Sequence, residues 1–224
     1  MDWTDDLISL VAASPRVAKH AHVPMQSASD AVLRRMHRKY RPWHYRERIE
    51  KIRAAMPAAA IGADVMVGFP GETDTEFQAA RCMIEDLPFT YLHVFTYSAR
   101  PGTPAAAMRN QVPLHIASER NRILRELATA KKLAFMRSFI GKEIEAITLK
   151  STCAANASFD SPSFCSESLR AGTARATNTE EFTEALTDNY LKLRLKGCHE
   201  PNRWLRARVE EVGAEALVGS CITA

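Results

Sequence analysis

The sequence IGADVMVGFPGET, residues 61–73, is the part of the chain from which the fold is most readily predicted. Its first seven residues are mostly apolar, as in the buried strands of parallel sheets. The glycines and the proline that follow end the strand, and Thr73 with Glu76 has the spacing of a helix capping box. We therefore predict a strand over 61–67, a tight loop, and a helix that continues to about Leu87.

The same order of strand, polar loop and helix occurs on both sides of this segment. The further predicted elements are helices over 4–13, 30–39, 42–55 and 115–140 and strands over 20–25 and 91–97. Alternating strands and helices indicate an α/β fold with right-handed parallel crossovers. Since three parallel strands alone leave unpaired edges, we expect residues 1–140 to form the C-terminal half of a βα barrel.

On the long helix we expect one buried stripe, at Ile116, Ile123, Leu127 and Ala134, and a C-terminal cap at Gly141.

The pattern changes after residue 141, and from about residue 186 apolar and polar residues alternate with period two. Such alternation predicts strands with one buried and one exposed face. We predict that residues 141–224 form a small antiparallel β-barrel of the OB-like kind, with a Ser-rich insert near 151–181. The clearest strand alternates Leu191, Leu193 and Leu195 with Lys192, Arg194 and Lys196.

Composition places the chain among ordinary globular proteins. It has 224 residues, of which 46% are hydrophobic and 25% charged, and a net charge of +4. This charge permits a nucleic-acid partner without requiring one. No segment is apolar over the length of a membrane span and the N-terminus is acidic, so we expect a cytoplasmic protein without a membrane partner.

The five cysteines have no pair at CxxC or CxxxC spacing. Short spacings of this kind are typical of zinc and iron–sulfur sites. We therefore expect free thiols and predict no metal site. His22 and His93 lie in strand-like segments, where a histidine is more often structural than a ligand, whereas Tyr97 at a strand end faces either the site or the core.

The loop at 68–72 follows a strand of the predicted sheet, on the side where α/β proteins carry their active sites. Glycines let the backbone approach a ligand closely, and Glu72 could accept hydrogen bonds from ligand hydroxyls or an amine. The alternative is a tight turn with an acidic residue near the helix start. A second feature is the segment 34–53, which contains nine Lys and Arg against two Glu. It is either a phosphate-facing surface or a solvated helix face.

Three segments in the same order resemble the radical-SAM tRNA methylthiotransferases. They are HVPMQSASD at 22–30 with LRRMHRKY at 33–40, ADVMVGFPGET at 63–73, and HVFTYSARPGTPA at 93–105. The HVFTYS sequence most resembles the branch that acts on N6-threonylcarbamoyladenosine beside the anticodon. LTDNYLK at 186–192 resembles the start of a strand in the TRAM domain of that branch.

The resemblance implies a radical-SAM barrel, tRNA as partner, and S-adenosylmethionine and 4Fe-4S clusters as cofactors. In this family, a cluster held by a CxxxCxxC motif cleaves S-adenosylmethionine, and a second cluster takes part in sulfur insertion. The chain contains no CxxxCxxC, so the ligands of the implied cluster are absent from it. Ala28 stands where the family usually has glycine, and 151–181 does not match a TRAM domain.

The interpretation most consistent with these differences is a fragment, inactive alone, whose missing N-terminal half is a candidate partner. The alternatives are an RNA-binding remnant without catalysis and an unrelated βα enzyme. By resemblance and strand-end position, we assign to the S-adenosylmethionine side Gln26, Ser27, Gly68, Pro70, Gly71 and Glu72. Candidate RNA-binding residues are Arg34, Arg35, Arg38, Lys39, Lys192, Arg194 and Lys196. The sequence does not identify a catalytic residue.

Overall fold

The computed structural model describes residues 3–151 and 181–222. Apart from its end residues, the insert predicted near 151–181 lies outside the described residues. The helices are α1 (Asp5–Ala13), α2 (Asp30–Arg35), α3 (Pro42–Ala55), α4 (Asp74–Asp86) and α5 (Leu114–Arg137). The strands are β1 (His20–His22), β2 (Ala60–Val67), β3 (Tyr91–Thr96), β4 (Glu143–Ser151), β5 (Phe182–Thr187), β6 (Lys192–Lys196), β7 (Trp204–Val212) and β8 (Leu217–Cys221).

The first three strands form a parallel sheet in the order β1-β2-β3. One face is apolar, and Ile61, Ala63 and Val65 of β2 are fully buried there within the main hydrophobic core. Because side chains alternate along a strand, the opposite face carries Gly62 and Asp64. This second face is the more polar one.

Several predicted helix ends are confirmed by their hydrogen bonds. Thr4 caps α1 by accepting from the Leu7 N–H at 3.2 Å, and Thr73 and Glu76 form the predicted capping box of α4. Helix α2 ends at Arg35, earlier than predicted, and His37 just beyond it has a φ of 55°. A left-handed residue cannot continue a right-handed helix, so the chain turns there before α3.

The buried stripe of α5 differs from the prediction. Ala117, Arg120, Leu124 and Ala128 are buried, whereas Ala134 is exposed. The predicted Ile123 and Leu127 pack only at the edge of the core. The helix ends at Arg137, and Gly141, with a φ of 77°, donates instead to the Val209 carbonyl at 2.8 Å.

The C-terminal strands form a closed barrel in the order β4-β5-β6-β8-β7. Leu193, Leu195 and Ala207 are buried inside, which confirms the period-two prediction. The predicted all-antiparallel arrangement is wrong at one position, because β6 pairs with β8 in parallel. The intervening strand β7 runs antiparallel to β8 and also pairs with β4, which closes the barrel.

The barrel contacts the parallel sheet at the starts of β1 and β2. Asn189 Nδ2 donates to the Ala58 carbonyl at 2.9 Å, and the Lys19 N–H donates to the Asp188 carbonyl at 2.8 Å. The ring of Tyr190 lies 4.9 Å from that of His20. The turn between β5 and β6 therefore connects the two parts of the molecule.

Within the described ranges, no helix is both long enough and apolar enough to span a membrane. Cys82 and Cys221 are free thiols. Cys198 is disulfide-bonded, so the expectation of free thiols is wrong at this residue.

Candidate functional site at the strand ends

The chain after β1 bends at Gln26 and pairs with β2. Gln26 has a φ of 62°, its N–H donates to the Asp64 carbonyl at 2.8 Å, and its carbonyl accepts from Met66 at 2.9 Å. Ser27 is buried, and its hydroxyl accepts from the Ser29 N–H at 3.2 Å. Because the backbone of Gln26 is fully paired, only its side chain is available for a ligand.

The loop after β2 requires glycine at two positions. Gly68 has a φ of 75°, and a Cβ there would lie 2.6 Å from the Ala117 Cβ of α5. Gly71 has a φ of 77°, and its N–H donates to the Asn110 carbonyl at 2.8 Å. Together with the buried Pro70, these contacts hold the loop tightly against α5 and the segment before it.

Glu72 is directed into the protein, with a side chain only 1% exposed. Its Oε2 accepts from the Gly68 N–H at 2.6 Å and from Arg120 Nη1 at 2.9 Å. Burial raises the pKa of this carboxyl, and the Gly68 N–H and the Arg120 guanidinium act in the opposite direction. Glu72 therefore closes the turn from inside, and its carboxylate is engaged by protein groups.

Arg120 was not found by sequence reasoning. It also donates to the Glu72 carbonyl at 3.1 Å and to Asp74 Oδ1 at 2.6 Å, and so connects the loop, α4 and α5. Its position in the sequence could have indicated that it is buried. Arg120 lies three residues after Ala117 and four before Leu124, and this helical spacing places it on the apolar face of α5.

Arg35, at the end of α2, connects the segment after β1 with the loop after β2. Its guanidinium donates to both carboxylate oxygens of Glu76, at 3.0 and 2.9 Å, and to the Gly71 carbonyl at 3.2 Å. The Glu76 carboxylate also accepts from the Ser29 hydroxyl at 3.3 Å. Burial alone would raise the pKa of Glu76, but the Thr73 N–H and Arg35 lower it overall. The segments at 26–30 and 68–76 therefore lie side by side, as the strand-end prediction required.

Much of the charge of segment 34–53 is paired within the molecule. Arg48 and Lys51 bind Asp5, Arg46 binds Asp86, and Arg34 and Arg41 bind Asp30. Arg53 donates to three backbone carbonyls.

Among the candidate RNA-binding residues of this segment, Arg35 has a structural role, and Arg34 is exposed but paired. Arg38 and Lys39 are exposed without a side-chain ion pair in the described structure.

The cations of β6 share one exposed face, as predicted. Arg194 lies over the Phe182 ring at 4.2 Å, and Lys196 binds Glu210 at 2.7 Å. Lys192 is exposed, and nearby Tyr190 is 57% exposed although its ring contacts His20. The face is therefore basic and partly aromatic, with one of its three charges already neutralised.

A parallel sheet that carries a glycine-containing loop and an adjoining polar loop at its carboxyl edge is the arrangement of a cofactor-binding α/β protein. Residues 2–81 match the family described as the Radical SAM superfamily. This superfamily implies S-adenosylmethionine and 4Fe-4S clusters as cofactors.

The chain is similar to curated proteins named tRNA-2-methylthio-N(6)-dimethylallyladenosine synthase. Identity to the protein of Thermobifida fusca is 44% over 146 residues, which are 65% of this chain and 30% of the relative. For the Thermus thermophilus protein it is 40% over 149 residues, 66% of the chain and 32% of the relative. For the Streptomyces avermitilis protein it is 49% over 119 residues, 53% of the chain and 23% of the relative.

The matched part of the chain therefore spans about a third or less of the length of these relatives. The family match concerns the Radical SAM superfamily, and the relatives carry the name of a tRNA-modifying synthase. They do not confirm the N6-threonylcarbamoyladenosine branch or a TRAM domain.

The strand-end residues fit S-adenosylmethionine in part. The half-buried Gln26 side chain makes no hydrogen bond within the described residues. The buried Tyr97 hydroxyl has no partner there. Free polar groups of this kind suit a polar ligand. A 4Fe-4S cluster does not fit, because the sequence has no CxxxCxxC and the described free cysteines lie far apart in the chain, on α4 and β8.

Proposed function

We propose that the chain is the S-adenosylmethionine- and tRNA-contacting part of a radical-SAM tRNA methylthiotransferase. The observation that carries this proposal is the pair of adjoining loops at 26–30 and 68–76, which Arg35 and Glu76 hold together at the edge of a parallel sheet. S-adenosylmethionine supplies the radical and the methyl group in such enzymes when it is bound with a reduced cluster.

The chain's own residues would shape the S-adenosylmethionine side of the site. We assign the direct contact to the Gln26 amide and the positioning to the rest of the predicted set. Ser27 fixes the turn after β1, while Gly68, Pro70 and Gly71 give the second loop its close path against α5. Glu72 would act indirectly, because its carboxylate holds Arg120 and the Gly68 N–H.

The test is S-adenosylmethionine binding to the 224-residue chain by titration calorimetry. Gln26→Ala removes the assigned contact, and we expect the dissociation constant to rise about two- to tenfold, the range for one hydrogen bond. Gln78→Ala on the exposed side of α4 is the matched control and should bind like the wild type. Equal affinity in the wild type and Gln26→Ala would contradict this assignment.

The substrate is proposed to be an N6-substituted adenosine of tRNA. The HVFTYS sequence favours N6-threonylcarbamoyladenosine, whereas the relatives are named for N6-dimethylallyladenosine. We favour dimethylallyladenosine, because relatives with that name are 40–49% identical over 119–149 residues. The test is competition binding between a tRNA that carries dimethylallyladenosine and one that carries threonylcarbamoyladenosine. A preference for the second tRNA would reverse this choice.

An RNA-binding remnant without catalysis is the second candidate. The absent CxxxCxxC and the exposed cations of β6 favour it. It predicts that the chain binds tRNA but not S-adenosylmethionine, so the same calorimetric titration separates the two functions.

A further inference from the structure

The second face of the parallel sheet carries a cluster of imidazoles and one carboxylate outside the strand-end site. Asp64 pairs in register with His93 on β3, and His22 of β1 lies on the other side of β2. One ligand atom from each of these three residues lies within 4.8 Å of the others. Two imidazoles and a carboxylate form a common donor set for zinc and related divalent ions.

We propose that His22, Asp64 and His93 bind a divalent transition-metal ion such as Zn²⁺. This inference does not rest on the proposed function. His22 Nε2 lies 3.3 Å from Asp64 Oδ2. Two atoms that coordinate one zinc ion tetrahedrally at about 2.0–2.1 Å are separated by roughly 3.3 Å. These two ligands are therefore already placed, and a ring nitrogen of the exposed His93 is the third donor, within 4.8 Å of the others.

Tyr91 orients the first imidazole. Its hydroxyl lies 3.1 Å from His22 Nδ1 and 2.8 Å from His20 Nε2. The ring is fixed over Gly62, where a Cβ would lie 1.8 Å from the Tyr91 Cζ. Ligating histidines usually have such a hydrogen bond at their second nitrogen, which sets the tautomer and the ring orientation.

The hydroxyl has one proton, which permits two arrangements of this network. When Tyr91 donates to His20, it accepts from the Nδ1–H of His22, and the His22 Nε2 lone pair then faces the Asp64 carboxylate. Two acceptors at this distance repel each other, and a cation between them removes the repulsion. When Tyr91 instead donates to His22, the His22 Nε2–H binds Asp64 directly. A bound metal would select the first arrangement.

Three protein ligands leave a fourth coordination position. His93 and the neighbouring Phe95, 51% exposed, show that this face is open in the described structure. The site is therefore of the open type, in which water or another small ligand completes the coordination.

The test is Co²⁺ and Zn²⁺ binding to the untagged 224-residue chain with alkylated thiols. We expect one Co²⁺ per chain, with the visible d–d absorption of a four- or five-coordinate ion, displaced by one equivalent of Zn²⁺. His93→Ala changes an exposed ligand and should weaken binding at least 100-fold. Tyr91→Phe keeps the ring but removes the hydroxyl and should weaken it about 10–100-fold, the usual effect of a partner behind a ligand.

His115→Ala, an exposed histidine on α5, is the control and should leave binding unchanged. Circular dichroism checks that each variant is folded. Absence of stoichiometric Co²⁺ binding by the folded chain, or equal binding by wild type and His93→Ala, would overturn the proposal.

Discussion

Glu72 shows that a residue's type and its place in a loop do not determine where its side chain points. The sequence placed it correctly beside the glycines after β2 and left open whether it faces a ligand or closes the turn. The direction depends on Arg120, 48 residues later in the chain. Such a contact has no local sequence signal, so the structure was needed to find it.

The first prediction concerns the contribution of Glu72 to stability. Glu72→Ala removes the acceptor of the Gly68 N–H and of Arg120, and we expect a loss of about 3 kcal/mol in the free energy of unfolding. Urea denaturation measures it. Asp74→Ala removes the other carboxylate bound to Arg120, but that side chain is 90% exposed, so its loss should stay below about 1 kcal/mol. Equal losses would contradict the buried role of Glu72.

A second prediction at this residue concerns pH. Burial raises the pKa of Glu72 in the folded protein above its ordinary value of 4.5. The folded state therefore binds the proton more readily than the unfolded state. Protonation of Glu72 stabilises the folded state, and this stabilisation is lost as the pH rises through the raised pKa. Glu72→Gln does not titrate. Relative to this variant, the wild type should gain stability as the pH falls from 7 to about 4.5, and a pH-independent difference would refute the shift.

At the scale of elements, the helices and strands with local signals were predicted well. The capping box of α4, the apolar run of β2 and the alternation of β6 each gave the right element. Features set by distant partners were missed. The parallel pairing of β6 with β8 depends on the path of β7. The ion pairs of segment 34–53 were also missed, because they join its cations to acids on other elements.

The contact between the loop after β2 and α5 gives a third prediction. Gly68→Ala would place its Cβ 2.6 Å from that of Ala117, in a backbone conformation that alanine rarely adopts. Gly102 has a similar φ of 81°, but its added Cβ would meet nothing within 4 Å. Gly102→Ala should therefore cost only the backbone strain, about 1–2 kcal/mol, and Gly68→Ala clearly more. Equal unfolding free energies of the two variants would show that α5 moves away from the added Cβ without a loss of stability.

At the scale of the whole molecule, the fourth prediction is that the chain alone does not assemble a radical-SAM cluster. None of its cysteines has CxxxCxxC spacing, which such a cluster requires by the family resemblance. Anaerobic reconstitution with iron and sulfide, followed by absorbance and electron paramagnetic resonance, tests this. A stoichiometric 4Fe-4S cluster that responds to S-adenosylmethionine would contradict it.

The last prediction concerns the barrel as a tRNA-binding surface. Lys192, Arg194 and Lys196 share the exposed face of β6, while the leucines between them are buried. If this face contacts tRNA phosphates, binding weakens steeply with salt, because each neutralised phosphate releases condensed counterions. Replacing all three cations with Gln should reduce the log–log slope by about two units. The full effect of three contacts is not expected, because Lys196 already binds Glu210.

A control variant with the same change in net charge separates a local contact from general attraction. Arg81, Arg122 and Arg125 are exposed on α4 and α5, outside the barrel strands, and their replacement with Gln should leave the slope nearly unchanged. Filter binding of unmodified tRNA across a salt series measures both variants. If the two triple variants change the slope equally, the effect belongs to net charge, and β6 is not the tRNA contact. A reduction confined to the β6 variant would place the phosphates on the barrel, because its buried leucines are untouched and the fold is retained.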